Sequence, residues 1–544
     1  MSAAATLVAN YRREVEKPDR HAPTAYPSLV PKRYPTSPRI ALPWPLAGYP
    51  ASLAGDLAAL GALFMAYAPV RLSLFTPAAV ATLTGFPMPQ TVGASRRYLL
   101  QTCRQVASGG ASFPAELYLI TAGTPSLAAG AYHYFPVHHA LERVRGGDLR
   151  AAIALPAGTS ADHLLVLACR PWKNVQKYGD FYYRLSSLDT GVLLDGLLSE
   201  GVRAVRFLHE DHAVAEALWL DPAIESAYAV LELSERLFPQ LAVGPAEGAA
   251  AESPDQAAVV AAVPTGLELD QAGVQTVHPA TIALHRASMC LGRPGEPASV
   301  GVGESSAPPG CAANLGVNSA GTGPAGTTEL VTLPAARAVD LRAQQAGRRS
   351  AVGFRPGPVR LDQMATVLAQ AGAALGVDSD LPAALADPLT LYCVGAELPG
   401  LAPGAYQYRR AEHAVLRCGT PDAAAELLAV AAGPGIPAMY GAQSIFVTGP
   451  QSCGLDALGA RWYRVLNALA GVVVNRIYLA AAAAGLGARA MLGYDVDTVG
   501  HLLGLPAGHT ALAQVLIGMA VRGRGSLDLA LADQCTGLTG GADR

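Results

Sequence analysis

The chain has 544 residues, with 39 Lys plus Arg against 42 Asp plus Glu for a net charge of −3, and it is 51% hydrophobic and 15% charged. That length exceeds one ordinary core and implies more than one domain, while the near balance of charge offers no basic face for nucleic acid. Eight cysteines with no CxxC pair indicate neither a zinc site nor a disulfide framework, so no metal is expected and a reducing cytoplasm is the expected location.

The N-terminus, MSAAATLVANYRREVEKPDR, carries early charges and no apolar signal region. The proline-rich stretch PTAYPSLVPKRYPTSPRIALPWPLAGYP is incompatible with regular helix and is expected to wrap the first domain. Leu57, Leu60, Phe64 and Tyr67 then share one helical face. Strands are predicted at ELYLI (116–120), LLVLAC (164–169) and AYAVLEL (227–233), with a long apolar helix after Gly191. From about Ala242 the composition turns to Ala, Gly, Pro and Ser, and residues 292–328 read as a flexible linker. A second amphipathic helix carries Leu361, Met364, Leu368 and Ala371; strands are predicted at LTLYCV (389–394) and SIFVTG (444–449), and a second long apolar helix follows Gly471. The apolar run from Leu466 is interrupted by Asn475 and Arg476, so it reads as a buried helix and not a membrane span.

These two series of elements are copies of each other. AGAYHY (129–134) followed by His139 recurs as PGAYQY (403–408) followed by His413, each 274 residues on (403 − 129 and 413 − 139). GDFYYRLSSLDTG (179–191) recurs 280 residues on as GARWYRVLNALAG (459–471), sharing Gly179/Gly459, Tyr183-Arg184/Tyr463-Arg464 and Gly191/Gly471. Kept order with slightly drifting spacing marks a duplicated domain. The expected division is a leading segment (1–50), a first domain (51–241), a linker (242–340), a second domain (341–526) and a tail (527–544). A central pair of apolar helices against mixed sheets suits a fused dimer of α+β units.

Three clusters could carry chemistry. Arg348-Arg349-Ser350 precede an amphipathic helix, where two guanidiniums and a hydroxyl suit a phosphate; the same residues also fit a solvated basic turn. SGGASFP (108–114) opens a strand, and Ser108, Gly109 and Gly110 either let a planar ring or a peptide approach the backbone or form an ordinary turn. RPWKNVQKYGDFYYR (170–184) is dense in aromatic and basic groups. The chain has only four lysines, Lys17, Lys32, Lys173 and Lys177, so Lys177 beside Tyr178 is either drift or a chosen point charge. An adjacent ammonium would favour the phenolate and bring Tyr178 toward a proton-transfer role. Neighbours in sequence do not share a helix face, so such a pair belongs on a loop or at a helix start. No GxGxxG follows a strand, so a nicotinamide site is not indicated.

RRS before a helix, SGGASFPAELYLI, the GAYHY strand, KYGDFYYRLSSLDTG, the closing GLGARAMLGYDVDTVGHLLGL and the leading PKRYPTSPRIALP together resemble the SagB-type azoline dehydrogenases, a branch of the flavin nitroreductase superfamily. The resemblance covers most of residues 30–240 and 340–525. It implies two fused nitroreductase-like domains in an intrachain pseudo-dimer, with further oligomerisation open, and FMN held between them. By the same resemblance Arg348, Arg349 and Ser350 hold the phosphate, Arg522 and Arg524 lie near it, and the Ser108–Gly110 loop of the other half meets the ring. RRS stands only in the second half, while SGG and Lys-Tyr stand only in the first, where the second copy has Ala457 and Leu458. One composite site per chain is the expectation. The implied activity is oxidation of peptide thiazolines or oxazolines to azoles, with Tyr178 as base or proton relay and Lys177 as its electrostatic partner. The implied partners are a precursor peptide and the cyclodehydratase that cyclises it, with no nucleic acid and no membrane. Two other readings stay open: a flavin oxidoreductase of a small molecule, and a flavin-free scaffold that binds peptide.

Overall fold

A computed structural model describes residues 2–16, 31–44, 55–75, 99–153, 155, 161–173, 175–198, 201–234, 278–289, 330–395, 398–418, 421–432, 443–521 and 526–530. The two sequence copies fold into two sheets of the same strand order. The first runs β1 (Arg39–Ala41), β6 (Ala140–Gly146), β5 (Gly130–Phe135), β4 (Ala115–Thr121), β7 (His163–Cys169), β9 (Ser226–Leu233), β8 (Val202–Arg206), and ends on β11 (Asp378–Ser379), lent by the second half. The second runs β10 (Leu330–Thr332), β14 (Ala414–Arg417), β13 (Gly404–Arg409), β12 (Thr390–Gly395), β15 (Gln443–Pro450), β17 (His509–Gly518) and β16 (Gly487–Met491). Among the described residues every strand pair is antiparallel except β8 with β11. β4, β7, β9 and β15 are buried along their whole length, as continuous apolar strands covered on both faces must be.

The repeated motifs mark where each copy is tied together. His139 and His413 both adopt the left-handed conformation (φ 47° and 44°). The Tyr134 and Tyr408 hydroxyls bond their Nδ1 atoms at 2.8 and 3.0 Å, and their Nε2 atoms bond the carbonyls of Pro43 and Pro334 at 3.3 and 2.8 Å. A carbonyl only accepts, so each ring is the Nε2–H tautomer. Burial pushes His139 down to about 4, which keeps it neutral for this task. Each histidine therefore pins the segment that enters its sheet.

Between the sheets lie the central helices Tyr182–Leu197 and Arg461–Ala483, and the shared glycines sit at their crossing. A Cβ on Gly191 would stand 1.7 Å from the Ala468 carbonyl oxygen, and one on Gly471 would stand 2.1 Å from that of Leu188. Tyr183 and Tyr463 stack across the same seam, 6.1 Å between centroids. Arg184 crosses to the carbonyls of Ala511 and Leu512 in the second half at 2.9 and 2.7 Å, and Arg464 crosses back to Asp211 and Ser226 at 3.1 and 3.2 Å. Among the described residues, Arg461–Ala483 is the one helix long and apolar enough to span a membrane, and 94% of its apolar window is buried inside the protein.

Three boundaries differ from expectation. The span 242–340 contains the helix Pro279–Ser288 and strand β10, and β10 belongs to the second sheet because His413 anchors it as His139 anchors β1. The tail from 527 begins inside strand β18 (Ser526–Ala530), which pairs with β2 (Pro69–Phe75); β2 in turn pairs with β3 (Leu99–Arg104) in a small third sheet. The leading segment contains the helix Ala3–Glu14, whose Arg12 and following Glu16 reach Gln451 and Arg184 at 2.7 and 3.2 Å. Residues 31–44 lie on the first sheet, through Lys32 on Glu225 at 2.7 Å and Arg39 on Glu142 at 2.8 Å. The linker expected at 292–328 lies outside the described residues.

Candidate active site

The Ser108–Gly110 loop joins β3 to β4 through one turn of 3-10 helix. Gly110 has φ 62°, and the loop also holds two non-glycine residues in the left-handed region, Ala111 (φ 53°) and Phe113 (φ 47°). Such residues cost roughly 1–2 kcal/mol each and persist only where surrounding contacts fix them. The contacts come from the first central helix. Asp189 accepts from the Ser108 hydroxyl at 2.6 Å and from the Gly109 amide at 3.0 and 2.9 Å. One turn earlier Leu185 packs so close that a Cβ on Gly109 would meet it at 2.4 Å. The Ser112 hydroxyl closes the turn by donating to the Gly109 carbonyl at 2.8 Å.

From the second half, Arg348 reaches into the same region. Its Nε donates to the Gln105 carbonyl at 2.5 Å, its Nη2 leans on the carbonyls of Arg104 and Val106 at 3.4 Å, and its guanidinium lies 5.3 Å from the Tyr478 ring. Nη1 is buried without a hydrogen-bond partner. Burial, with Arg71 and Arg349 nearby, pushes Arg348 down to about 10. Ser350 donates to the Tyr478 hydroxyl at 3.2 Å, and Arg489 on β16 donates to the Ala351 carbonyl at 3.1 Å. Arg348 therefore differs from the expected free phosphate ligand: two of its nitrogens brace the halves and one remains for a ligand. Arg349 and Ser350 are exposed. Arg522 and Arg524 lie outside the described residues.

Tyr178 ends the short helical turn Val175–Tyr178, half-buried and stacked on Tyr182 at 6.0 Å. Its phenol is raised above the usual value by burial and by Asp189, and Arg489 from the other half opposes this only in part. That reverses the expected drift toward phenolate: in this structure the group is a neutral phenol at neutral pH, because loss of solvent outweighs its nearby cation. Lys177 precedes it in the turn, and its side chain lies outside the described residues.

The seam thus gathers Arg348, Ser350, Tyr478 and Arg489 from one half, and Ser108–Gly110, Tyr178 and Asp189 from the other. At the related positions of the opposite seam stand Pro382, Ala383 and Ala384 for the loop, Leu458 for Tyr178, Leu469 for Asp189 and Ala204 for Arg489. Asp189, Tyr478 and Arg489 were not singled out from sequence. Asp189 and Arg489 left one signal, a charged residue in one copy where the other has Leu or Ala. A buried, unpartnered guanidinium nitrogen beside further arginines and a hydroxyl fits a phosphate, and the adjacent glycines leave backbone accessible to a flat ring.

No family model and no curated protein sequence matches the chain. Solved structures do match. One described as a nitroreductase from Anabaena variabilis superposes with a TM-score of 0.68 at 20% identity, over 95% of this chain and 99% of that one. A second, described as a nitroreductase from Ralstonia eutropha, matches 36% of this chain and 90% of its own at 19% identity and a TM-score of 0.30. The E. coli microcin synthetase McbBCD complex with truncated pro-MccB17 bound matches 31% of this chain and 68% of its own at 15% identity and a TM-score of 0.26. The full-length match establishes a nitroreductase-like α+β fold.

Proposed function

We propose that this chain is an FMN-dependent oxidoreductase with one composite site, and that it oxidises thiazolines or oxazolines in a cyclised peptide to the corresponding azoles. One observation carries the reading. Motif residues from both halves converge at one seam, and the opposite seam has Pro, Ala and Leu at the positions of the loop, Tyr178, Asp189 and Arg489. Oxidoreductase and cofactor follow from that convergence on a nitroreductase-like fold, and the peptide azoline follows from the sequence resemblance.

When bound, FMN supplies the two-electron acceptor that aromatisation of an azoline requires. The protein's part is placement. Arg348 Nη1, Arg349 and Ser350 would hold the phosphate, with Arg489 adding positive charge, and the Ser108–Gly110 loop would present backbone to the ring. Tyr178, as a neutral phenol, would act as a relay, taking the ring proton at its oxygen as it hands its own proton to solvent.

Titration with FMN should saturate close to one flavin per chain; two would sink the composite site, and none would favour the flavin-free scaffold. With FMN bound, an azoline peptide should reduce the flavin in a single turnover faster than reduced flavin passes electrons to a nitroaromatic. The reverse order would favour a small-molecule reductase.

A further inference from the structure

We propose that Asp189 is the positioning residue of the composite site, gripping Ser108 and Gly109 to hold their loop in its strained form beside Tyr178. This rests on the flavin reading for its purpose, but the clamp itself can be tested without flavin. Three observations point the same way. Asp189 is buried in a helix whose other copy has Leu469, so packing alone does not call for a carboxylate. Its hydrogen-bond donors, Ser108 and Gly109, both belong to the loop. That loop carries left-handed backbone at Gly110, Ala111 and Phe113, a conformation that needs an external grip.

Asp189 is bonded to Ser108 and Gly109 of the loop, and its charge is felt by Tyr178 in the short turn, Tyr182 on its own helix, Cys169 at the end of β7 and Tyr67 beyond the helix Asp56–Phe64. The three tyrosines are raised above their usual range by burial and Cys169 is pushed up to about 12, so all stay neutral near pH 7. The Arg104 guanidinium lies over the Tyr67 ring, 3.9 Å from its centroid, and Arg489 acts on Tyr178 from the other half. Asp189 itself is pushed up to about 7 by burial, only partly offset by its hydrogen bonds. The closed loop therefore holds a proton that an opened, solvated carboxylate releases. As pH rises from about 4 to 7 the closed form loses ground, and above 7 the effect levels off.

The test is amide hydrogen exchange at Gly109 in the full chain without cofactor, corrected for intrinsic rate, alongside FMN titration. At about pH 8, where the carboxylate is ionised, Asp189→Ala should speed Gly109 exchange at least ~10-fold, as expected for loss of a hydrogen bond to a charged group, and weaken FMN by a similar factor. Asp189→Asn, which keeps an acceptor, should restore both to within about threefold. In wild type the opening equilibrium should climb with pH up to about 7, while Asp189→Asn stays flat; this arm decides the matter even should Asp189→Ala not fold. Unchanged Gly109 exchange in Asp189→Ala, or the same pH profile in wild type and Asp189→Asn, would overturn the clamp. Absence of FMN binding by wild type would remove the flavin reading alone, since the exchange arm supports or rejects the clamp regardless.

Discussion

Tyr178 shows how a side chain's surroundings decide its chemistry. Its hydroxyl belongs to a residue stacked on Tyr182 and facing a carboxylate from its own half and a guanidinium from the other. A raised phenol holds its proton and ionises poorly, so its use is to pass a proton through in concert, taking one as it gives one. Tyr178→Phe removes only the hydroxyl and should leave FMN binding and thermal stability near wild type. Azoline oxidation should fall by about 10²–10⁴, the usual worth of a positioned acid-base group. Lys177→Ala should fall likewise if its ammonium assists. Single-turnover flavin reduction at the flavin absorbance band measures both, and unchanged rates would make Tyr178 a packed aromatic. Arg348 poses the opposite case: since it braces the carbonyls of residues 104–106 as well as facing the site, its loss would confound cofactor binding with interface stability.

At the scale of elements, the crossing of the two central helices depends on glycine. Gly471→Ala would force a Cβ against the Leu188 carbonyl and the neighbouring backbone of Val192 and Gly191, none of it the movable end of a side chain. Overpacking of this kind costs about 1–3 kcal/mol, and sometimes more. Gly493→Ala, which meets nothing within 4 Å, should stay within about 0.5 kcal/mol of wild type. Denaturant midpoints compare the two, and equal midpoints would mean that the helices separate easily. These glycines, with the tyrosines and arginines of the same repeat, were legible because both copies must meet at one seam and so keep the same residues. The predicted strands at 116–120, 164–169, 227–233 and 444–449 lie within observed ones and that at 389–394 starts one residue before β12, since buried strands read as unbroken apolar runs. The strands at 330–332 and 526–530 were not legible, because they are short and held by distant partners, β14 and β2. For the same reason the site was half legible. Local motifs marked Arg348–Ser350, Ser108–Gly110 and Lys177-Tyr178, but Asp189, Tyr478 and Arg489 acquire their neighbours only when two halves and a helix come together.

The whole molecule is bound by charges that cross between halves inside the core. Asp211 of the first half pairs with Arg461 and with Arg464 of the second, the latter at 3.1 Å, and Arg461 also donates to the Phe207 carbonyl at 2.8 Å. Asp195 pairs in the same way with Arg476 at 2.8 Å. Burial and the neighbouring Arg464 push the Arg461 guanidinium well down. A buried pair adds little compared with a well-packed apolar one, but removal of one member leaves the other charge stranded, at a cost of about 3–5 kcal/mol. Because the stranded arginines lie on the second half's central helix, a change in the first half should loosen both. Asp211→Ala should therefore lower the unfolding midpoint while keeping a single transition, and native-state hydrogen exchange should accelerate in β12 and β15 as much as in β4 and β7. Were the second sheet to keep its protection while the first lost it, the halves would be separate cooperative units, and the shared seam could not hold the two sides of the site in fixed register.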